Sequence, residues 1–421
     1  MKPRSSRRRT ILSVLAVLLL VVFVGGYFAF EPEVTWFFGW QDVPEHDVTF
    51  GEHTAVPGNY AEVIDFANTH LEQQKREKVL PALSVAIGLN GDVLWARAMG
   101  PKTLEGEGLQ QPIGLNDRFR IGSIAKAITG TIAAKLVQDG QLDLDASVHK
   151  YVPYYPKKQH EISPRQLLTH TSGTRNYTMR FAIPANEFAS RTQYDSVQAA
   201  VDIFKDDPLE FAPGTDFKYS VYGYVLASAV LEGASDLDFP TLVKTKLTEP
   251  LGLTNTMIES EAAGQFVAPY EFEDGRYKPA LVVNTSNKLA AGGFVSTPTD
   301  LVRMANAILT GTYLAEDTTQ QLLYEPQKLT NGEVNPQSYA LGWRNTQSEM
   351  FFDGDRKIHI VHHGGMAMGS TAFLVMFPEY NLCMAVATNR SMGSSAELLS
   401  MLVPIAEKLI VQIERQRAAA N

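Results

Sequence analysis

Phe119-Arg-Ile-Gly-Ser-Ile-Ala-Lys-Ala-Ile-Thr129 sets Ser123 and Lys126 three residues apart, and its reading decides the fold. On a helix, positions i and i+3 share a face, so hydroxyl and amine become neighbours. A serine hydroxyl is a weak nucleophile at neutral pH. An adjacent amine activates it only when burial or nearby positive charge lowers the amine's own pKa. Ile124, Ile128, Ile132 and Leu136 recur at i+4 until Gly140, which predicts a helix here. Its flanks are apolar, so Lys126 is expected inside, where a surface lysine would not go. Ser-x-x-Lys alone, however, is a common accident of helix surfaces.

Upstream, Ala61 to Val79 has the pattern of an amphipathic helix. Leu83-Ser-Val-Ala-Ile-Gly-Leu and Val93-Leu-Trp-Ala-Arg-Ala-Met then flank Asn90-Gly91, the signature of a tight hairpin. Downstream, helical patterns follow at Ser163 to Leu168, Ser196 to Phe204, Tyr222 to Gly233 and Pro240 to Leu251. Strand patterns return at Tyr339-Ala-Leu-Gly-Trp, His359-Ile-Val-His, Thr371 to Phe377 and Leu382 to Thr388, before a last helix from about Ser395 to Arg415. The order predicts an α+β fold: one antiparallel sheet completed from both ends of the chain, flanked by helices, with a mostly helical sub-domain inserted.

The 421 residues, 45% hydrophobic and 20% charged, suit a large globular core. Cys383 is the single cysteine, so no internal disulfide forms, and its apolar neighbours mark it as a core thiol. Residues 1–9 hold five basic residues, and Thr10 to Phe30 carry no charge. A helix of that length would cover the ~30 Å of bilayer hydrocarbon. Residues 10–30 are therefore expected to form one transmembrane signal anchor, with Gly25-Gly26 as its weak point and a cleaved signal peptide as the alternative. The basic tail would stay cytoplasmic, placing everything after residue 30 in the periplasm or outside a single-pass inner or plasma membrane. Residues 31–58 would be a linker. Its Trp36, Phe37, Phe38 and Trp40 read either as a membrane-interface belt or as a strand edge docked on the domain. Residues 59–417 would be the catalytic domain. Without the tail, 32 basic residues face 46 acidic ones, which excludes nucleic acid as a partner.

Two more segments carry chemistry. In Phe217-Lys-Tyr-Ser-Val-Tyr-Gly-Tyr224, a tyrosine near the nucleophile acts as a general base if cations lower its pKa from about 10. The bland reading is a set of core aromatics. In Ile358-His-Ile-Val-His-His-Gly-Gly365, a strand edge next to the nucleophile offers a backbone N–H to an oxyanion. Metal binding by His359, His362 and His363 is disfavoured, since strand alternation separates His362 from the other two. His170, in Leu167-Leu-Thr-His-Thr-Ser-Gly173, reads as a structural histidine.

In this order, Ser-x-x-Lys, Leu-Leu-Thr-His-Thr-Ser-Gly, Tyr-Ser-x-x-Gly-Tyr, Ala-Gly-Gly (Ala291 to Gly293) and His-x-Gly resemble the serine β-lactamase-like hydrolases. These include class C β-lactamases, D-Ala-D-Ala carboxypeptidases, D-aminopeptidases, esterases and the mitochondrial β-lactamase-like protein. The likeness spans roughly residues 60 to 415 and implies a β-lactamase/transpeptidase-like fold. It implies Ser123 as the acylated nucleophile, Lys126 as proton acceptor or relay, and Tyr219 as phenolate base. It sets His362 where class C enzymes have lysine, and the N–H groups of Ser123 and Gly365 as the oxyanion hole, with Gly364 beside them. No metal or cofactor is implied. Val221 stands where the family has asparagine, and His362-His363-Gly364 replaces Lys-Thr-Gly, so an amide donor and a fixed cation are missing. Both departures point away from β-lactams. The expected substrate is a small molecule or peptide, cell-wall-derived ones included, cleaved by a D-amino-acid peptidase or esterase. A β-lactamase and a silent membrane-tethered assembly protein are the alternatives. Oligomeric state has no signal in the sequence.

Overall fold

Asn90 and Gly91 both adopt positive φ, 52° and 97°, as a two-residue hairpin turn requires. They join Leu83–Leu89 (β2) to Asp92–Met99 (β3) in the computed structural model, which describes residues 12–26, 37–45, 51–55, 58–178 and 187–420. Gly51–His53 (β1) lines the outer edge of β3. The C-terminal part supplies Arg344–Ser348 (β4), Ile358–Ala367 (β5), Ser370–Phe377 (β6) and Leu382–Thr388 (β7). All seven strands pair antiparallel in the order β4-β5-β6-β7-β2-β3-β1. The two ends of the chain thus complete one sheet, as its patterning predicts.

Every residue of β2, β6 and β7 is buried, because helices cover both sheet faces. These strands therefore read as continuous apolar runs rather than alternating ones. On one face, Ala61–Glu77 (α1) and Ala396–Ala420 (α5) bury Ile64, Leu71, Leu402 and Leu409 against Val85, Val375 and Met384. On the other, Ile124–Gln138 (α2), Val221–Ser235 (α3) and Pro298–Leu309 (α4) set Ile124, Ile128 and Val302 in one core with Ala86, Leu374 and Ala385. Truncating one such leucine or isoleucine to alanine costs about 2–5 kcal/mol. The layer holding α2 and α3 carries the candidate site.

Two expectations are corrected, and one left open between two readings is decided. Among the described residues no helix is long and apolar enough to cross a membrane. Residues 12–26 are helical. The single-pass anchor and the placement built on it are withdrawn. The basic tail 1–9, and positions 10–11 and 27–30 of the expected span, lie outside the described residues. Second, the aromatic segment docks on the domain at its described part. Gln41–Asp42 pairs with Arg276–Pro279, and the Lys278 ammonium sits 4.2 Å over the Trp40 ring. Third, Tyr339-Ala-Leu-Gly-Trp precedes its strand instead of forming it. Gly342 (φ 80°) turns tightly against the Lys126 carbonyl, and Trp343 Nε1 donates to Thr131 Oγ1 at 3.1 Å.

This clamp of residues 341–343 onto α2 also explains Gly130 in mid-helix. A Cβ there would lie 2.2 Å from the Leu341 carbonyl oxygen and 3.0 Å from Gly342 Cα. Gly130→Ala gains about 1 kcal/mol of helix propensity but forces two backbones apart. The expected result is a net loss of about 1–3 kcal/mol in urea denaturation. A variant as stable as the parent would show that α2 and the clamp are not in close contact.

Candidate active site

Ser123 opens α2 with helical backbone angles (φ −67°, ψ −4°) directly after Gly122, whose φ is +49°. Glycine is needed there twice over. The angle is left-handed, and a Cβ would come within 2.5–2.6 Å of the O, C and N atoms of Met366. The Met366 peptide therefore packs directly against the residue before the serine.

Lys126, one turn on, is fully buried. Its Nζ donates to Ser123 Oγ at 3.2 Å and to the Ala291 carbonyl at 2.8 Å, and it lies 4.7 Å from the Tyr219 ring centroid. No carboxylate neutralises it among the described residues. Burial holds its amine well below the usual lysine range, and the charges of Arg344 and Lys288 push it further down. Tyr219, just before α3, has its hydroxyl within hydrogen-bonding reach of Ser123. Burial raises its pKa to about 12, against smaller opposing effects from Arg344 and Ser123. The resting site therefore pairs an amine held well below the usual lysine range with an intact phenol. The expected phenolate is not favoured, because burial of Tyr219 outweighs the Arg344 cation beside it.

His170 holds this arrangement in place. Its own backbone is left-handed (φ 61°), and its carbonyl accepts from Lys218 N at 2.9 Å. Its Nδ1 accepts from Ser220 N at 3.1 Å, so both neighbours of Tyr219 are tied to one residue. The ring is enclosed by Tyr219, Tyr224 and Tyr339, at centroid distances of 4.2, 5.0 and 4.7 Å.

Strand β5 corrects the choice of histidine. Its side chains alternate between layers. A Cβ on Gly364 would meet Ser395 and Phe373, whereas one on Gly365 would meet Ile121 and Ile124 beside the serine. His362 shares the first face: it stacks on Phe373 at 5.4 Å, and its Nδ1 is buried without a hydrogen bond. Burial lowers its pKa to about 3. His363 shares the serine's face. Its Nδ1 donates to the Gly364 carbonyl at 2.7 Å, and its Nε2 accepts from the Tyr339 hydroxyl at 2.9 Å. Burial, first, and then Arg344 keep this ring neutral.

The oxyanion donor shifts in the same way. The two-residue turn Met368–Gly369 makes Ala367 and Ser370 the closing pair of the β5–β6 hairpin. Alternation of bonded and non-bonded pairs then turns the Gly365 N–H toward Ala372 and the Met366 N–H toward the free edge. Ser123 N has no hydrogen-bond partner among the described residues. Ser123 and Met366, not Gly365, offer the paired N–H groups.

Three participants escaped the sequence reading. Arg344 lies 5.6 Å over the Tyr219 ring, with Nη1 3.4 Å from His363 Nε2, so a fixed cation is present after all. Asn176 accepts the Val221 N–H through Oδ1 at 2.9 Å. That contact fixes its amide orientation and leaves Nδ2 as a donor beside the position where Val221 seemed to delete one. Lys288 lines the cleft in front of Ser123, together with Arg120, Tyr177, Phe188, Val221 and Met366. None of the three stands in a motif with the serine, and only contact in the fold brings them there.

The β-lactamase family profile matches residues 67–404. The mitochondrial serine β-lactamase-like protein LACTB of Homo sapiens is 26% identical over 408 residues, spanning 76% of this chain and 73% of that protein. Penicillin-binding protein 4* of Bacillus subtilis is 24% identical, over 73% and 68% of the two chains. The D-amino acid amidase of Ochrobactrum anthropi SV3 superimposes with a TM-score of 0.67 at 21% identity, over 85% of this chain and 99% of that one. The human relative is mitochondrial, so kinship does not restore the withdrawn placement in an inner or plasma membrane.

The facing of β5 separates two adjacent histidines experimentally. His362→Phe should leave urea stability within about 1 kcal/mol, since it keeps the ring stack and removes an unpaired nitrogen. His363→Phe strands the buried Tyr339 hydroxyl and should cost about 1–3 kcal/mol. The opposite ranking would place His362 on the serine's face.

Proposed function

We propose, since the chain belongs to the β-lactamase family, that it is a hydrolase of amides or esters working through an acyl-Ser123 ester. The observation that carries this reading is Lys126: a buried amine, unpaired by any carboxylate and 3.2 Å from Ser123 Oγ. Burial holds its amine well below the usual lysine range, which suits it to take the serine proton. Ser123 Oγ then bonds to the substrate carbonyl carbon, and the oxyanion is received by the N–H groups of Ser123 and Met366. As the tetrahedral intermediate collapses, the carbon–nitrogen or carbon–oxygen bond breaks. The proton passes from Lys126 through the Tyr219 hydroxyl to the leaving group. Water repeats the sequence in reverse, with Lys126 again as base, and frees the acid.

Asn176 favours amides within this scheme. Its Nδ2 supplies the donor for an acylamino carbonyl that Val221 lacks, which fits a peptidase or amidase better than a simple esterase. The same donor gives a β-lactam a foothold, so β-lactam turnover is the second reading. It is separated from the first by comparing a chromogenic cephalosporin with D-amino-acid amides.

Intact mass of the full chain after brief exposure to an amide, an activated ester and a penicillin tests the scheme. A wild-type adduct absent from Ser123→Ala is expected; no adduct with any reagent would remove the hydrolase reading. Lys126→Met should lower kcat about 10²–10⁴-fold. For a substrate with a neutral acyl half, kcat/KM of the wild type should fall on the acid side, as Lys126 gains its proton, and hold through the alkaline range where Tyr219 stays protonated. An activity that needs an alkaline pH to appear would restore the phenolate. Gly122→Ala, by displacing the Met366 peptide, should cost about 10²–10³-fold in kcat.

A further inference from the structure

The cleft in front of Ser123 contains a cation, Lys288, that forms no ion pair with any carboxylate among the described residues. Lys288 lies in the chain just before the Ala291–Gly293 turn and is only 8% exposed. Its Nζ donates to the Phe188 carbonyl at 2.5 Å and sits 4.7 Å from the Phe188 ring centroid. An ammonium has three donors, and the described residues occupy one. Glu259, the acid whose charge Lys288 feels most, is bonded to Arg120 instead: Arg120 Nε and Nη2 both donate to its Oε1, at 3.0 and 2.6 Å, and it makes no ion pair with Lys288. Arg120 and Glu259 thus cancel, and Lys288 remains as net charge. The walls around it are Tyr177, Phe188, Val221, Val283 and Met366, which screen little. A buried charge without a counter-ion costs several kcal/mol. Such an arrangement is out of character for a chain with 46 acidic and 37 basic residues, and it is relieved when a ligand brings the anion.

The side of the nucleophile on which Lys288 lies says which part of a substrate brings it. Tyr219, the proposed proton donor to the leaving group, does not line this cleft, and neither do His363 and Arg344. Its lining runs instead along Met366, Ala367 and Met368, beyond the oxyanion donor, and past Val221. The leaving group therefore departs on the Tyr219 side, and the cleft receives the acyl half.

We propose that the acyl half of the preferred substrate bears a carboxylate, bound by the Lys288 ammonium, so that the enzyme cleaves after an acidic acyl residue such as an aspartyl or glutamyl group. This rests on the acyl-Ser123 reading. The bland alternative is that Lys288 merely ties down the Phe188 segment. In that case its loss would impair all substrates alike.

The test uses p-nitroanilides of N-acetylaspartate, linked through the α-carboxyl, and of the neutral isostere N-acetylasparagine, each as D and L forms. The leaving group is common, so any difference lies in the acyl half. The full-length wild type should favour aspartate over asparagine ten- to a hundredfold in kcat/KM, chiefly through KM. Lys288→Met should abolish that preference, costing the aspartate anilide ten- to a hundredfold more than the asparagine anilide, and the asparagine turnover that remains shows that the variant folds. Lys288→Arg should retain the preference, and Lys288→Glu should reverse it. Equal rates for the two anilides in the wild type, or an equal fall for both in Lys288→Met, would overturn the proposal and leave the acyl-serine reading intact. Hydrolysis of neither anilide, with no Ser123 adduct, would overturn both.

Discussion

The burial of Lys126 without an anion is the constraint on which the rest of the site depends. An ammonium in that place would cost several kcal/mol in lost hydration, and Arg344 and Lys288 raise the cost. Burial therefore holds the amine well below the usual lysine range, and its two hydrogen bonds point it at Ser123 Oγ and the Ala291 carbonyl. The same burial keeps the proton on Tyr219. One physical cause thus moves the two groups in opposite directions, the amine toward base and the phenol toward acid.

The fold is arranged to keep that pocket dry and in register. Residues 341–343 clamp α2 through Gly130 and Thr131. His170 ties down the residues on both sides of Tyr219. The β5–β6 hairpin brings the Met366 peptide against Gly122. Each contact joins segments remote in sequence, which explains why the catalytic layer is assembled from both ends of the chain and its helical middle. Positive charge recurs around the serine in Arg344 and Lys288, in a protein whose overall balance is acidic. The local field, not the net charge, is what a substrate meets.

What was legible in the sequence is what local periodicity encodes. The i+4 apolar repeat after Ser123 set the helix and buried Lys126, Asn90-Gly91 set the hairpin, and continuous apolar runs set the doubly covered strands. Strand alternation also split the histidines of β5 into two sets. It could not say which set faces the serine, because that depends on which helix layer lies against which face. Hence His362 and Gly365 were chosen where the structure presents His363 and Met366. Asn176, Lys288 and Arg344 reach the site only through tertiary contact, and no spacing rule links them to Ser123. The apolar N-terminus misleads for a different reason: length and hydropathy alone suggest a span, whereas among the described residues no helix is long and apolar enough to cross a membrane.

The most direct test of the central claim is the protonation state of Lys126 itself. Nitrogen-15 chemical shifts of lysine side chains in the full chain, with the Lys126 signal assigned by its loss in Lys126→Met, would be followed across pH. The account predicts a neutral amine at pH 7 that gains its proton only on acidification. An ammonium signal from Lys126 at pH 7, persisting into the alkaline range, would contradict it and return the role of base to Tyr219.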